Sequence, residues 1–131
     1  MKEFIIIIII LAIIIGGDIF IENYIKNTSQ NIIGELKNLK KEIIASKENE
    51  GNQGKLKEKA NDIYKKWEKT ENNWAVIVLH SELDLIETSF TKMKSGIEQG
   101  ELNRSLEEIE TNLFLIDHIS EKEKFCLKNV L

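Results

Sequence analysis

The stretch Trp74–Asp84 reads WAVIVLHSELD, an apolar run closed by a histidine and two carboxylates. Its reading decides the fold. If these residues are helical, a single helix runs from near Lys55 to near Gly96; if the chain bends, at Asn72-Asn73, two helices share that length. At about 100° per residue the unbroken helix carries two apolar stripes. Trp67, Trp74, Val78 and Leu85 make one, while Leu79, Leu83, Ile86, Phe90, Met93 and Ile97 make the other. Together they cover about half the circumference, which predicts the most deeply packed helix of the chain. His80, Asp84, Glu87 and Thr91 form a polar strip opposite, and Glu82 falls between the apolar stripes, where a carboxylate needs a partner.

Working outward, Ile25, Ser29, Ile32, Leu36, Leu39 and Ile43 recur at alternating spacings of three and four, a continuous stripe on a helix ending near Lys47. Gly34 weakens this helix without breaking it. The segment ENEGNQG, Glu48–Gly54, is the clearest loop. Leu56, Ala60, Ile63, Trp67 and Trp74 then lie on one stripe. After Ser95-Gly96-Ile97-Glu98-Gln99, Gly100 suits a helix end. A last helix carries Leu102, Leu106, Ile109, Leu113, Ile116, Leu127 and Val130, its stripe interrupted by Ser120 and Glu123.

Proline is absent, and amphipathic helices with short connections predict an all-α protein. The expected architecture is a membrane-anchor helix over residues 1–21 that continues into an antiparallel three-helix bundle over 22–131. The bundle becomes four-helix if the second helix breaks. The same spacing also suits a coiled coil with another chain.

The anchor is read from FIIIIIILAIII, Phe4–Ile15, followed by Gly16-Gly17-Asp18 and then Ile19-Phe20-Ile21. A helix over Phe4–Ile21 spans about 27 Å against a hydrocarbon core of about 30 Å. Phe4, Ile8, Leu11, Ile15 and Ile19 are the anchor side chains, with Asp18 near the outer boundary. The alternative is a cleaved signal peptide, whose apolar core has a similar length. We favour the anchor, because Ile15-Gly16-Gly17 is a poor small-x-small cleavage site and the helical pattern continues past it. Lys2 precedes the span and the next base is Lys26, so the N-terminus is expected in the cytoplasm and the bundle outside the cell membrane. With three residues before the span, no cytoplasmic catalytic domain is expected.

The chain has 18 basic and 22 acidic residues, so no global field favours nucleic acid, and none is expected as a partner. Six lysines against three acids make Lys55–Lys69 net positive, but the acids are interleaved and a solvated face is the simpler reading. Cys126 is the single cysteine, which excludes an intrachain disulfide and fits a small packing residue.

Chemistry is sparse. His80 and Asp84 are i,i+4 neighbours with Glu87 one turn on, and His118, Asp117 and Glu110 lie on the last helix. A metal site would draw on His80, Asp84, Glu87 and His118. The paired Glu-x-x-His of carboxylate-bridged di-metal bundles is absent, and the simpler reading has His80 hydrogen-bonding Asp84 at the surface. Trp67 and Trp74, with Glu82, are candidates for a ligand or partner groove, although Trp on an apolar stripe is more often core. Ser81 adjoins His80, but i,i+1 side chains on a helix diverge, and no Gly-x-Ser-x-Gly or phosphate-cradling loop occurs. We therefore expect no enzymatic activity and no cofactor.

Trp74, then His80-Ser81-Glu82-Leu83-Asp84, and a closing Lys128-Asn129-Val130-Leu131 resemble the bacterial domain of unknown function 4363 family. Ser81 stands where a larger aromatic is expected. The resemblance covers essentially the whole chain and implies a short protein with an apolar N-terminal segment and a helical remainder; it transfers no catalytic residue. The resulting expectation is a membrane-anchored bundle, tethered in lipid, that contacts another membrane protein or a second copy of itself. A ligand- or metal-binding sensor domain outside the membrane is the alternative.

Overall fold

The computed structural model describes residues 1–49 and 53–130, with side chains described as far as Lys124. Among the described residues four helices follow one another: α1 (Lys2–Glu48), α2 (Gln53–Trp74), α3 (His80–Glu98) and α4 (Leu102–Val130). No strand occurs among the described residues. The bundle is antiparallel, α1 packing on α2, α2 on α3, α3 on α4, and α4 back on α1. The core sits in the channel between them.

α1 continues without interruption from the apolar segment into the bundle. All six residues of its predicted stripe are buried, Ile25, Ser29, Ile32, Leu36, Leu39 and Ile43. Cross-helix polar pairs report the register. Lys59 and Lys66 of α2 reach Glu42 and Glu35 of α1, and Lys40 and Lys47 of α1 reach Glu110 and Asn103 of α4. Exposed or, for Lys59–Glu42, half-buried, they add little energy, but their order shows both partners running antiparallel to α1.

The second helix breaks. The reversal comes at Ala75–Leu79, not at Asn72-Asn73, and makes the bundle four-helix. It is held by Ala75 N donating to Glu71 O, and Ile77 N and Val78 N donating to Trp74 O. Leu79, extended at φ −61° and ψ 135°, is the N-cap of α3 and offers no side-chain cap. The break divides the two apolar stripes between two helices. Trp67, Trp74 and Val78 remain buried, and so do Leu83, Ile86, Phe90, Met93 and Ile97. Leu79 and Leu85, at 62% and 58% exposure, leave the core because an unbroken helical phase no longer carries through them.

The α3–α4 turn follows expectation. Gly100 takes φ 75°, Gly100 N donates to Ile97 O and Glu101 N to Gly96 O, closing a Schellman-type end. Gln53 Nε2 also donates to Ile97 O at 3.0 Å, tying the start of α2 to the end of α3. α3 and α4 approach closely through small residues: Ser105 Oγ donates to Met93 O, and Ser89 Oγ to Glu108 O.

The core line of α4 is Ser105, Ile109, Asn112, Ile116 and Ile119, with Leu102, Leu106 and Leu113 partly buried at its side. The predicted stripe is thus displaced around the helix, because two polar residues occupy its centre. Asn112 is fully buried, and both amide atoms lack a hydrogen-bond partner among the described residues. The expected packing of Cys126, Leu127 and Val130 lies outside the described side chains.

Three substitutions test this packing by thermal or denaturant melting. A Cβ on Gly96 would lie 2.4 Å from Ser105 Oγ and 3.2 Å from Glu101 O. Gly96→Ala is therefore expected to cost about 1–3 kcal/mol, against the gain of about 0.5–1 kcal/mol ordinary for helical Gly→Ala. Gly34→Ala, with open space around it, should show that gain. Asn112→Leu should raise stability by about 1–3 kcal/mol, because it removes an unpaired buried amide.

Candidate functional site

The most structured polar cluster lies on the seam between α2 and α3. Glu87 Oε2 accepts from Trp67 Nε1 at 2.9 Å, and Glu87 Oε1 accepts from the Tyr64 hydroxyl. Trp67 stacks on Phe90 with centroids 5.5 Å apart and meets Trp74 edge-on at 5.9 Å. Trp74 Nε1 donates to Thr28 Oγ1 at 3.0 Å, which ties this aromatic layer to α1. Both indoles have no exposed surface, so Trp67 and Trp74 do not line a groove. They are core, each N–H satisfied at the edge of the apolar layer as buried Trp requires.

Electrostatics at this seam are acidic. The Glu87 hydrogen bond, burial and nearby Glu68 hold the Tyr64 hydroxyl well above its ordinary range, so it stays a donor. Lys94 Nζ lies 4.2 Å from the centroid of the same ring. Burial, then Glu87, Asp84 and Glu68, raise the Glu71 carboxyl.

The expected metal residues do not gather. His80 and Asp84 are exposed on α3, Glu87 turns to Tyr64 and Trp67, and His118 on α4 stacks on Phe114 with centroids 5.9 Å apart. No group of three or more His, Cys, Asp or Glu able to hold a metal occurs among the described residues. Glu82 finds its partner across the helix pair, where Lys122 Nζ donates to Glu82 Oε1 at 2.8 Å.

Three depressions flank α1. One of about 230 Å³ lies against α2 and is lined by Glu35, Asn38, Leu39, Lys59, Asp62 and Lys66 among others. A second, about 260 Å³, lies further along the same seam, near Tyr24, Thr28, Lys69 and Asn73. The third, about 90 Å³, lies against α4 near Lys26 and Asp117. All are smaller than the roughly 300–1,000 Å³ of small-molecule sites, and charged pairs bridge the first.

What stands out instead is apolar surface at one end. The side chains from Phe4 to Phe20 are almost all exposed, and the helix carries an 18-residue apolar window of which nothing is buried. A helix of that length and composition meets the requirement for crossing a bilayer or acting as a signal sequence. The model of one protein family, Domain of unknown function (DUF4363), matches residues 19–130. The chain belongs to this family. Its DUF4363 region takes in the last residues of the apolar segment and all four bundle segments. No curated protein and no solved structure matches the chain.

The acidic seam sets a pH dependence. Glu71 has a folded pKa above its ordinary 4.5. Such a group favours the folded state in acid: the contribution is complete below the unfolded value and lost as pH rises through the folded one. At neutral pH Glu71 is a cost. Glu71→Gln is expected to stabilise the bundle near pH 7 by about 0.5 kcal/mol, the scale of a like-charge neighbour. Melts well below pH 4.5 should show no difference from the parent, since both side chains are then neutral in both states.

Proposed function

We propose that this protein is a membrane-tethered helical bundle that works by contact, as a non-enzymatic interaction or accessory subunit of a bacterial membrane complex. The observation that carries the reading is continuity. The apolar, unburied half of α1 and the half that closes the bundle are one uninterrupted helix. In water such a segment would expose a large apolar surface, the kind that marks a membrane or protein contact. In lipid it meets a solvent of its own polarity, and its backbone is satisfied internally.

The partner is another integral membrane protein or a second copy of the chain. Leu85 and Phe114, on neighbouring helices, are exposed apolar side chains outside the core and suit such a contact. The positive charge before the span and its absence through it favour a cytoplasmic N-terminus with the bundle outside the membrane.

Fractionation of cells expressing the full chain tests the tether. The protein is expected to stay with the membrane through alkaline carbonate washing. Ile8→Arg, which costs about 2.5–3.5 kcal/mol at mid-bilayer, should release a measurable fraction. Crosslinking in intact membranes should yield a discrete larger species. Recovery of a soluble chain with its start removed, or of a monomer that turns over a substrate, would overturn the reading.

A further inference from the structure

Five consecutive apolar residues, Ala75-Val76-Ile77-Val78-Leu79, make the connection between α2 and α3. Connections in water are ordinarily polar, and a run of exposed apolar residues points to a function. Packing explains part of this turn. Val78 is a core plug at 4% exposure, and Ala75 and Ile77 lean on the core. It does not explain Val76 and Leu79, which are 88% and 62% exposed.

The position of the turn along α1 supplies the reason. Asn73 Nδ2 donates to Tyr24 Oη at 2.7 Å and Trp74 donates to Thr28, so α2 ends abreast of residues 24–28 of α1. α2 runs antiparallel to α1, and the chain beyond Trp74 therefore continues toward the apolar segment. Tyr24 lies three residues beyond Ile21, a rise of about 4.5 Å. The headgroup layer on each side of the hydrocarbon is about 5–7 Å thick, so a turn that starts at this level and heads inward lies within it. Phe20 stacks on Tyr24 at 6.4 Å, an aromatic pair at the height where such rings anchor membrane proteins.

We propose that the Ala75–Leu79 turn is a second membrane contact, its Val76 and Leu79 side chains seated at the boundary between lipid headgroups and acyl chains beside the anchor. This rests on the tether proposed above. A helix alone leaves the bundle free to swing and rotate about its axis; a second contact off that axis fixes which face of the bundle lies against the lipid. The occupant is the bilayer, because the same helix that enters it carries the turn to its surface.

The test uses the full chain with Cys126→Ser, reconstituted in phosphatidylcholine vesicles and labelled with an environment-sensitive fluorophore at one introduced cysteine. Four positions are compared: Ile8→Cys in the anchor, Val76→Cys and Leu79→Cys in the turn, and Lys57→Cys at the far end of α2. Lipids brominated at shallow or deep acyl positions serve as quenchers. The expected result is blue-shifted emission at 76 and 79 with preferential quenching by shallow bromines, deep quenching at 8, and none at 57. Turn labels that match position 57 while position 8 is quenched would overturn this inference and leave the tether standing. Absence of quenching at position 8 would remove the tether and the inference together. Blue-shifted but unquenched turn labels that revert when the protein is diluted in lipid would assign the turn to a second copy and also overturn the inference.

Discussion

A stripe of apolar side chains on a helix must meet another stripe or remain in water, and in this chain α1 limits where a partner can lie. Its part beyond the apolar segment, residues 22–48, is about 40 Å long. A single straight helix from Lys55 to Gly96 would be about 63 Å long and would leave a third of its apolar surface without α1 beside it. Folding that length back at Ala75–Leu79 gives two helices that each fit alongside. The four-membered ring of helices follows from this match of lengths.

Trp74 is the hinge of that arrangement. It is the last residue of α2, its ring is buried against Trp67, and its N–H is held by Thr28 of α1. Thr28 in turn donates to Tyr24 O, so the end of α2 is hydrogen-bonded to the helix that leaves the bundle. The aromatic layer of Trp67, Trp74 and Phe90 therefore does two things. It fills the core with large apolar volume, and it fixes the height of the reversal relative to the apolar segment.

Polar groups in the interior divide into satisfied and unsatisfied ones. Glu87 is a strong acceptor for two aromatic donors, and the small hydroxyls of Ser89 and Ser105 bond to facing backbone carbonyls. These bonds let α3 and α4 approach closely without orphaned groups. Asn112 is different, a buried amide without a partner among the described residues, set between Ile109 and Ile116. Acidic residues concentrate where α2 meets α3: burial first, and then the neighbouring carboxylates, raise Glu71, while the hydrogen bond to Glu87, with burial, holds the proton on Tyr64.

Periodicity by itself determined much of this protein. The α1 stripe from Ile25 to Ile43, the α2 stripe from Leu56 to Trp74, the glycine end of α3 and the apolar N-terminal helix were all legible, because each is a local pattern on one helix. Family membership was legible too, in Trp74 and His80–Asp84. Only the tertiary structure decided the reversal at Ala75–Leu79: an uninterrupted apolar run has no period, contains neither glycine nor proline, and pays only a small propensity penalty for its β-branched residues in a helix. The same holds for the facing of His80, Asp84, Glu87 and His118. Spacing along one helix says which side chains share a face, but which neighbour that face meets depends on where the chain turns, and lengths in three dimensions set that.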